Sequence, residues 1–324
     1  MQLWLASYPR SGNTFLRNVL YEVYGLESST FHRETDYPLD AGYDDYPVVK
    51  THELPEHLQP DDPAIPAVYL VRDGRDALCS MAHHRSDIVA PGSDYLENLR
   101  AAIIAQHGSH FGGWSRNVEH WARRAAIIIR FEDLIRDPLG QVERLREVIE
   151  LPEPRAERLP EFAALKSGVP KYGAARDQDV SDEEKRALAE RFFRRGEAGA
   201  WREEMPEELA ELFWAYHGDA MERMGYRRDG ECAEPHRDLD ADVRRRMGLP
   251  NPQPPRRHRV LMEADKLLNI FHVLIHRKLE PPENLGNHSP SPVFMSVESP
   301  TSIWMKAFGQ RFGNIMENGY PSQP

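Results

Sequence analysis

The sequence predicts an α/β fold, a parallel sheet flanked by helices with a C-terminal extension, and three observations predict it. Four short apolar runs rich in Val, Ile and Leu recur at 3–6, 47–50, 67–71 and 126–130, each with the length and character of a buried strand. Helical patterns lie between and after these runs, and strand alternating with helix is the arrangement of a parallel sheet covered on both faces. A loop, SYPRSGNTF, joins the first run to the first helical pattern, at the place where such a sheet offers backbone N–H groups to an anion.

The elements follow in order. Leu3 to Ala6 forms the first strand, and Leu16, Val19, Leu20 and Val23 place one apolar face on the helix after it. Pro47–Lys50 and Ala67–Val71 supply the second and third strands, and Ala126–Arg130 the fourth. A helix is expected from Leu139 to Ile149. From Pro152 to Tyr226 strands stop: Ser181 with Glu184 makes a capping-box start, and Pro206 to Met224 reads as a longer amphipathic helix.

From Arg227 to Arg259 the composition shifts to Arg, Asp and Pro, including PNPQPPRRHR, and this stretch is expected to link a first domain, 1–226, to an extension, 260–324. Within the extension Val260 to Leu279 predicts one amphipathic helix, with Leu267, Leu268, Phe271 and Ile275 on its apolar side and Lys266, His272, His276 and Arg277 among its polar residues. Such a helix docks rather than spans. Three seats are open to it: the first domain, a second copy of the chain in a homodimer, or a membrane surface. The remainder, from Pro281, shows no usable periodicity.

Composition narrows function. With 324 residues, 40% hydrophobic and 29% charged, the chain is neither disordered, collagenous nor a coiled coil. Lys plus Arg number 41 against 52 Asp plus Glu, a net charge of -11, which lacks the broad positive field that nonspecific nucleic-acid binding uses. An anionic ligand must therefore be met by a local basic pocket. The two cysteines, Cys79 and Cys232, make neither a disulfide framework nor a four-thiolate zinc site, so a cytoplasmic setting is expected. The initial apolar run, broken by Tyr8, Pro9 and Arg10, is too short for a signal-peptide core.

The first loop is P-loop-like with its cation relocated. A nucleotide-triphosphate loop reads G-x-x-x-x-G-K-[ST]; here Ser7 replaces the first Gly, Asn13 replaces the Lys, and Arg10 sits inside the loop instead. Without that Lys, and without an acidic strand end for magnesium, ATP chemistry loses its charge-neutralising parts. Three further segments carry chemistry. VYLVRDGRDALCS ends a strand on Arg72 and places Ser80 eight residues later; the two can converge on one phosphate, or Arg72 can pair with Asp73 or Asp76. RRGEAGAW offers Arg194, Arg195 and the exposed amides around Gly196 to an anion. VVKTHELP puts Lys50, Thr51 and His52 just past a strand, where an imidazole with a reference pKa of about 6.5 suits removal of a hydroxyl proton near neutrality.

These four segments, in this order, resemble those of sulfotransferases that use 3'-phosphoadenosine 5'-phosphosulfate (PAPS), where the usual forms are YPKSGTTW, RKGxxGDW and Lys-Thr-His. The resemblance runs from about Leu3 to Tyr226. It implies that Arg10, Ser11, Gly12, Asn13 and Thr14 face the 5'-phosphosulfate, and that Arg72, Ser80, Arg194, Arg195 and Gly196 hold the 3'-phosphate. It also implies that His52 is the general base, that Lys50 stabilises charge on the transferring group, and that Phe15 and Phe131 occupy the places of the aromatic residues that meet adenine. Two departures stand out: Arg10 for Lys, which keeps the charge but changes its geometry, and Ala200 where the family has Asp before the Trp.

The expected reaction is transfer of a sulfuryl group from PAPS to a hydroxyl of a small-molecule, lipid or sugar acceptor, with no metal. The stretch from His83 to Trp114 is expected at the pocket rim, and the paired His83 and His84, or His107 and His110, lack spaced carboxylate or thiolate partners for a metal site. A P-loop kinase and a noncatalytic nucleotide-binding module are the competing readings. The missing GK[ST] opposes the first, and the intact Lys50 and His52 oppose the second.

Overall fold

The computed structural model describes residues 1–33, 42–105, 110–173, 180–230 and 239–250. Five strands, β1 (Leu3–Ser7), β2 (Ser28–Phe31), β3 (Val48–Thr51), β4 (Ala67–Val71) and β5 (Ile127–Arg130), form one sheet in the order β2-β3-β1-β4-β5. All four pairings are parallel, with Leu5 of β1 opposite Lys50 of β3 and Val68 of β4. The helices are α1 (Asn13–Tyr24), α2 (Gly74–His84), α3 (Tyr95–Ile104), α4 (Trp114–Arg124), α5 (Phe131–Arg136) and α6 (Pro138–Glu143). There follow α7 (Phe162–Ser167), α8 (Asp182–Phe192), α9 (Trp201–Glu204), α10 (Glu207–Arg223) and α11 (Leu239–Arg246).

The period of two along each strand sorts the core into two layers. Trp4 and Ala6 of β1, Tyr69 of β4 and Ile128 of β5 join a cluster with Leu78, Trp114, Trp121 and Phe213 on one face. Leu3, Leu5, Leu70 and Ile129 join Leu16, Leu20, Leu134 and Leu145 on the other. Strands buried on both faces read as continuous apolar runs, which is why four of them are visible in the sequence. The fifth, β2, is not. Its Ser28, Ser29 and Thr30 carry no apolar signal, and their polar groups are satisfied instead: Arg17 of α1 donates to the Ser28 Oγ at 2.7 Å and carbonyl at 3.0 Å, Tyr172 receives the Ser28 N–H at 2.7 Å, and Ser29 Oγ donates to the Tyr43 carbonyl at 2.6 Å.

Other expectations are corrected in detail. The helix expected over 139–149 is α6 followed by a 3-10 turn at Arg144–Glu147, yet Val142 and Leu145 are fully buried as the pattern requires. The Ser181–Glu184 capping box opens α8, and α10 lies within one residue of its expected ends. Part of the stretch expected as linker is helical: α11 buries Val243, and Arg244 donates to the Pro250 carbonyl and lies against the Ala125 carbonyl. The chain divides into two units at residue 267, and all the described residues belong to the first. The expected helix at 260–279, the rest of the extension, Cys232 and His107 lie outside the described residues. Among the described residues no helix is long and apolar enough to cross a membrane.

Candidate active site

The C-terminal ends of β1, β3, β4 and β5 open onto one cleft of about 1550 Å³. Pockets for a single drug-sized ligand run about 300–1,000 Å³, so this one has room for two. A sheet whose first strand has neighbours on both sides splays its loops apart at that strand's carboxyl end, and such a switch point is where open α/β sheets bind ligands.

The loop after β1 is shaped by two residues in the left-handed region. Gly12 has φ +92°, and a Cβ there would lie 2.4 Å from Phe131 Cδ2, so no side chain fits. Arg10 has φ +67°, an unfavourable geometry for a residue with a Cβ. Its guanidinium holds it there, donating to the Phe192 carbonyl at 2.6 Å and to Ser80 Oγ at 3.2 Å, 4.3 Å from the Phe192 ring centre. The Arg10 carbonyl in turn accepts from Arg72 at 3.1 Å. Asn13, standing where a triphosphate loop has Lys, donates to the Leu5 carbonyl at 3.3 Å and to Ser7 Oγ at 3.2 Å. It therefore braces the loop.

Three guanidiniums meet at this end of the cleft. Burial, and then the charges of Arg72 and Arg194, push the Arg10 pKa down to about 9. Arg72 spans from the Arg10 carbonyl to the Glu197 carbonyl at 2.8 Å, lies 3.9 Å from Asp76 Oδ2, and sits 4.5 Å from the Phe131 ring centre. Its buried Nε and that of Arg194 have no hydrogen-bond partner among the described residues. Unpaired buried donors and mutually repelling cations are both relieved by an anion. These residues fit a polyanionic ligand.

The segment at 194–201 is built by carboxylates from elsewhere. Asp76 of α2 accepts from the Gly199 N–H at 2.7 Å and the Trp201 N–H at 2.9 Å, fastening the turn in which Ala200 takes the place of the expected Asp. Glu204 grips Arg194 with both oxygens, at 2.5 and 2.7 Å, and lies 3.3 Å from Arg195 Nε; Glu203 accepts from Arg195 at 2.9 Å. Gly196, at φ +70°, passes under the Phe162 ring, 2.3 Å from where a Cβ would stand.

His52 sits on the other side of the first loop. Its Nδ1 lies 2.7 Å from the Ser7 carbonyl. A carbonyl only accepts, so Nδ1 carries the proton and Nε2 the lone pair. Burial, followed by the charge of Lys50, holds the His52 pKa well below its ordinary value, the Ser7 bond opposing them. The ring is neutral near pH 7.

The residues singled out in the sequence are thus placed as follows. Arg10, Gly12, Asn13, Thr14, Phe15, Lys50, His52, Arg72, Ser80, Phe131, Arg194, Arg195 and Gly196 all line the cleft. Ser11 does not; it is fully buried, its hydroxyl without a partner among the described residues. Phe15 and Phe131 are buried, Phe131 beneath Arg72 and Phe15 6.1 Å from the Phe162 ring. Phe162 and Phe192 are half-exposed rings on the cleft that sequence reading missed. It also missed Arg17, Glu53 and the structural parts of Asp76 and Glu204, since nothing local marks contacts made across so many residues. Among the described residues no group of three or more His, Cys, Asp or Glu is placed to hold a metal ion.

Comparison with known proteins bears on this site. A family model described as "Sulfotransferase domain" matches residues 24–225, more than half of the chain, beginning at the last residue of α1. The chain is 26% identical to flavonol 3-sulfotransferase from Flaveria bidentis over 64% of this chain and 78% of that one. It is 23% identical to sulfotransferase 1A1 from Bos taurus, over 68% and 83%. A crystal structure of mouse sulfotransferase SULT7A1 complexed with PAP aligns at a TM-score of 0.49 and 18% identity, covering 67% of this chain and 84% of that one.

Proposed function

The chain belongs to the sulfotransferase domain family, enzymes of sulfuryl transfer, and on that footing we propose that it moves a sulfuryl group from PAPS to an acceptor hydroxyl with His52 as general base. One observation carries the reading most directly: His52 is tied by Nδ1 to Ser7, at the root of the loop that bears Arg10. The proton acceptor and the anion cradle are therefore one rigid unit.

Bound PAPS supplies the activated sulfuryl group and departs as 3'-phosphoadenosine 5'-phosphate (PAP). Arg10 and the amides at the start of α1 would meet its 5' end; Arg72, Ser80, Arg194, Arg195 and Gly196 would meet its 3' end. Phe162 and Phe192 line the cleft half-exposed, more accessible to the base than the buried Phe15 and Phe131. His52 Nε2 takes the proton from the acceptor hydroxyl, an act that positioned imidazoles accelerate by about 10²–10⁴-fold. Lys50 lies beside it on the cleft wall and balances charge as the donor bond breaks. A transferring sulfuryl carries less negative charge than a phosphoryl group, so positioned cations suffice.

The test uses the purified protein with isotopically labelled PAPS and a mixed cell extract, followed by mass analysis of labelled products and calorimetry with PAP without magnesium. PAP binding and labelled product are expected from the wild type, with product lost and binding kept in His52→Ala. ATP binding that requires magnesium would favour a kinase instead. PAP binding with no product from either form would favour a noncatalytic module.

A further inference from the structure

We propose that the acceptor is a polyhydroxylated, sugar-like molecule, recognised by a polar subsite that Glu53, His57 and Arg116 form beside His52. The proposal rests on the sulfuryl-transfer reading above and names its substrate class. All three residues line the same cleft as His52.

Glu53 is the centre of the argument. Its backbone is fixed on three sides: its N–H donates to Thr51 Oγ1 at 3.0 Å, its carbonyl accepts from Trp121 Nε1 at 2.9 Å, and the preceding carbonyl, of His52, accepts from Asn117 at 3.0 Å. The carboxylate is held as firmly as the imidazole next to it. Its side chain is 11% exposed, so it is a largely desolvated charge. Oε1 accepts from the Arg33 N–H at 3.0 Å, whereas Oε2 lies 3.5 Å from His57 Nδ1. A carboxylate has about four lone-pair positions, and a hydrogen bond to it from nitrogen is normally about 2.7–3.2 Å. Among the described residues most of this capacity is unused.

The chemistry of a molecule entering the cleft here follows from what surrounds it. A phenol or steroid would cover Glu53 with carbon and leave a buried carboxylate short of donors, a penalty that lets polar sites reject analogues lacking the expected hydroxyl. An ammonium would satisfy Glu53 but meet Lys50 and Arg17 on the same wall. A hydroxyl both donates and accepts. Several hydroxyls on one scaffold can donate to Glu53 while accepting from His57 and from Arg116, which Glu56 steadies at 3.2 Å. Phe111, with its ring centre 5.6 Å from that of His52, adds a flat apolar face that suits the C–H side of a sugar ring.

The full-length protein is supplied with PAPS and either a panel of methyl glycosides or the phenols 2-naphthol and 4-nitrophenol, and PAP release is followed, with PAP affinity measured in parallel by calorimetry. The best glycoside is expected to exceed either phenol at least tenfold in kcat/KM. Glu53→Leu is expected to cut the ratio of glycoside to phenol turnover at least tenfold, mainly through glycoside KM. Glu53→Gln, which keeps an acceptor for the Arg33 N–H, cuts it less and controls for folding. With PAP bound, preference for a phenol, absence of turnover on every glycoside, or an equal loss on both acceptor classes in Glu53→Leu and Glu53→Gln overturns the proposal. Failure of the wild type to bind PAP would instead overturn the donor reading, and the acceptor proposal with it.

Discussion

Replacing Gly12 by Ala attacks the anion loop with a single methyl group, and the structure allows its cost to be split in two. The backbone φ of +92° penalises any Cβ by roughly 1–2 kcal/mol. The new carbon would also stand 2.4 Å from Phe131 Cδ2 and 2.8 Å from Cε2, where ordinary carbon contacts are about 3.5–4.0 Å. Phe131 is 2% exposed and cannot swing into solvent, so an overpacking cost of about 1–3 kcal/mol follows. Gly92 separates the two effects. It has φ +85° and nothing within 4 Å of its would-be Cβ, so Gly92→Ala carries the backbone strain alone. Urea denaturation should show Gly12→Ala destabilised by about 2–5 kcal/mol and Gly92→Ala by about 1–2 kcal/mol. Because Arg72 rests on the Phe131 ring, PAP affinity should also fall in the first and hold in the second. Equal stability losses in the two variants, or unaltered PAP binding in Gly12→Ala, would refute the packing argument.

Asp76→Ala removes two charge-assisted bonds from the amides of the 194–201 turn, and each such bond is worth about 1.5–3 kcal/mol; calorimetry should show PAP affinity reduced about tenfold or more. Among the described residues Arg10 has no carboxylate partner, whereas Arg195 faces Glu203 and Glu204, so Arg10→Ala should raise the KM for PAPS more than Arg195→Ala does in a steady-state assay. His52 is held below its ordinary pKa by burial and Lys50, so the base form persists as pH falls through 6.5; the acid limb of kcat/KM should lie below that value. An acid limb above pH 6.5 would contradict the structure. His217 donates by Nε2 to the Ile103 carbonyl at 2.9 Å and takes Ser115 Oγ on Nδ1 at 2.6 Å, and burial pushes its pKa down to about 4. The unfolded chain then binds the extra proton between about pH 6.5 and 4, so stability falls as pH falls through that window, by roughly 3 kcal/mol for this group. Comparing urea midpoints of wild type and His217→Gln at pH 7 and 5 checks it, the variant being the less pH-sensitive.

The fold is legible where burial is two-sided. Leu3, Val48, Ala67 and Ile127 each lie in a run that alternates between the two core layers, and an apolar run needs no partner to be recognised. Ser28 and Ser29 break that rule, because on the edge strand β2 these two residues answer to Arg17, Tyr172 and Tyr43, and only Phe31 at its end joins a core. Val243 is hidden differently: Leu239, Val243 and Met247 recur every four residues, but they lie in a stretch so rich in Asp, Arg and Pro that it reads as linker, and Val243 is fully buried all the same. The site divides the same way. His52 and Arg72 follow directly on strand ends and Arg10 comes three residues after one, so a strand pattern alone brings them to one edge. Phe192 meets Arg10, Glu204 holds Arg194 and Glu53 takes the Arg33 amide through tertiary contacts, and no spacing in the sequence encodes those.

The net charge of -11 and the cationic cleft are compatible because charge acts locally in salt. Exposed charges more than about 8 Å apart are largely screened at physiological ionic strength, and buried ones are screened much less. Arg10 feels Arg72 and Arg194 strongly enough for its pKa to drop, whereas the acidic residues spread over the outer helices do not offset that repulsion. Two classes of carboxylate result. Glu203 and Glu204 hold Arg195 and Arg194 in place without leaving the cleft wall negative, and Asp76 spends its oxygens on backbone amides. Among the described residues Arg10 is left to Ser80 and a backbone carbonyl. The Arg10 end of the cleft therefore suits an anion, and the sign of the whole chain says nothing about the charge its cleft can accept.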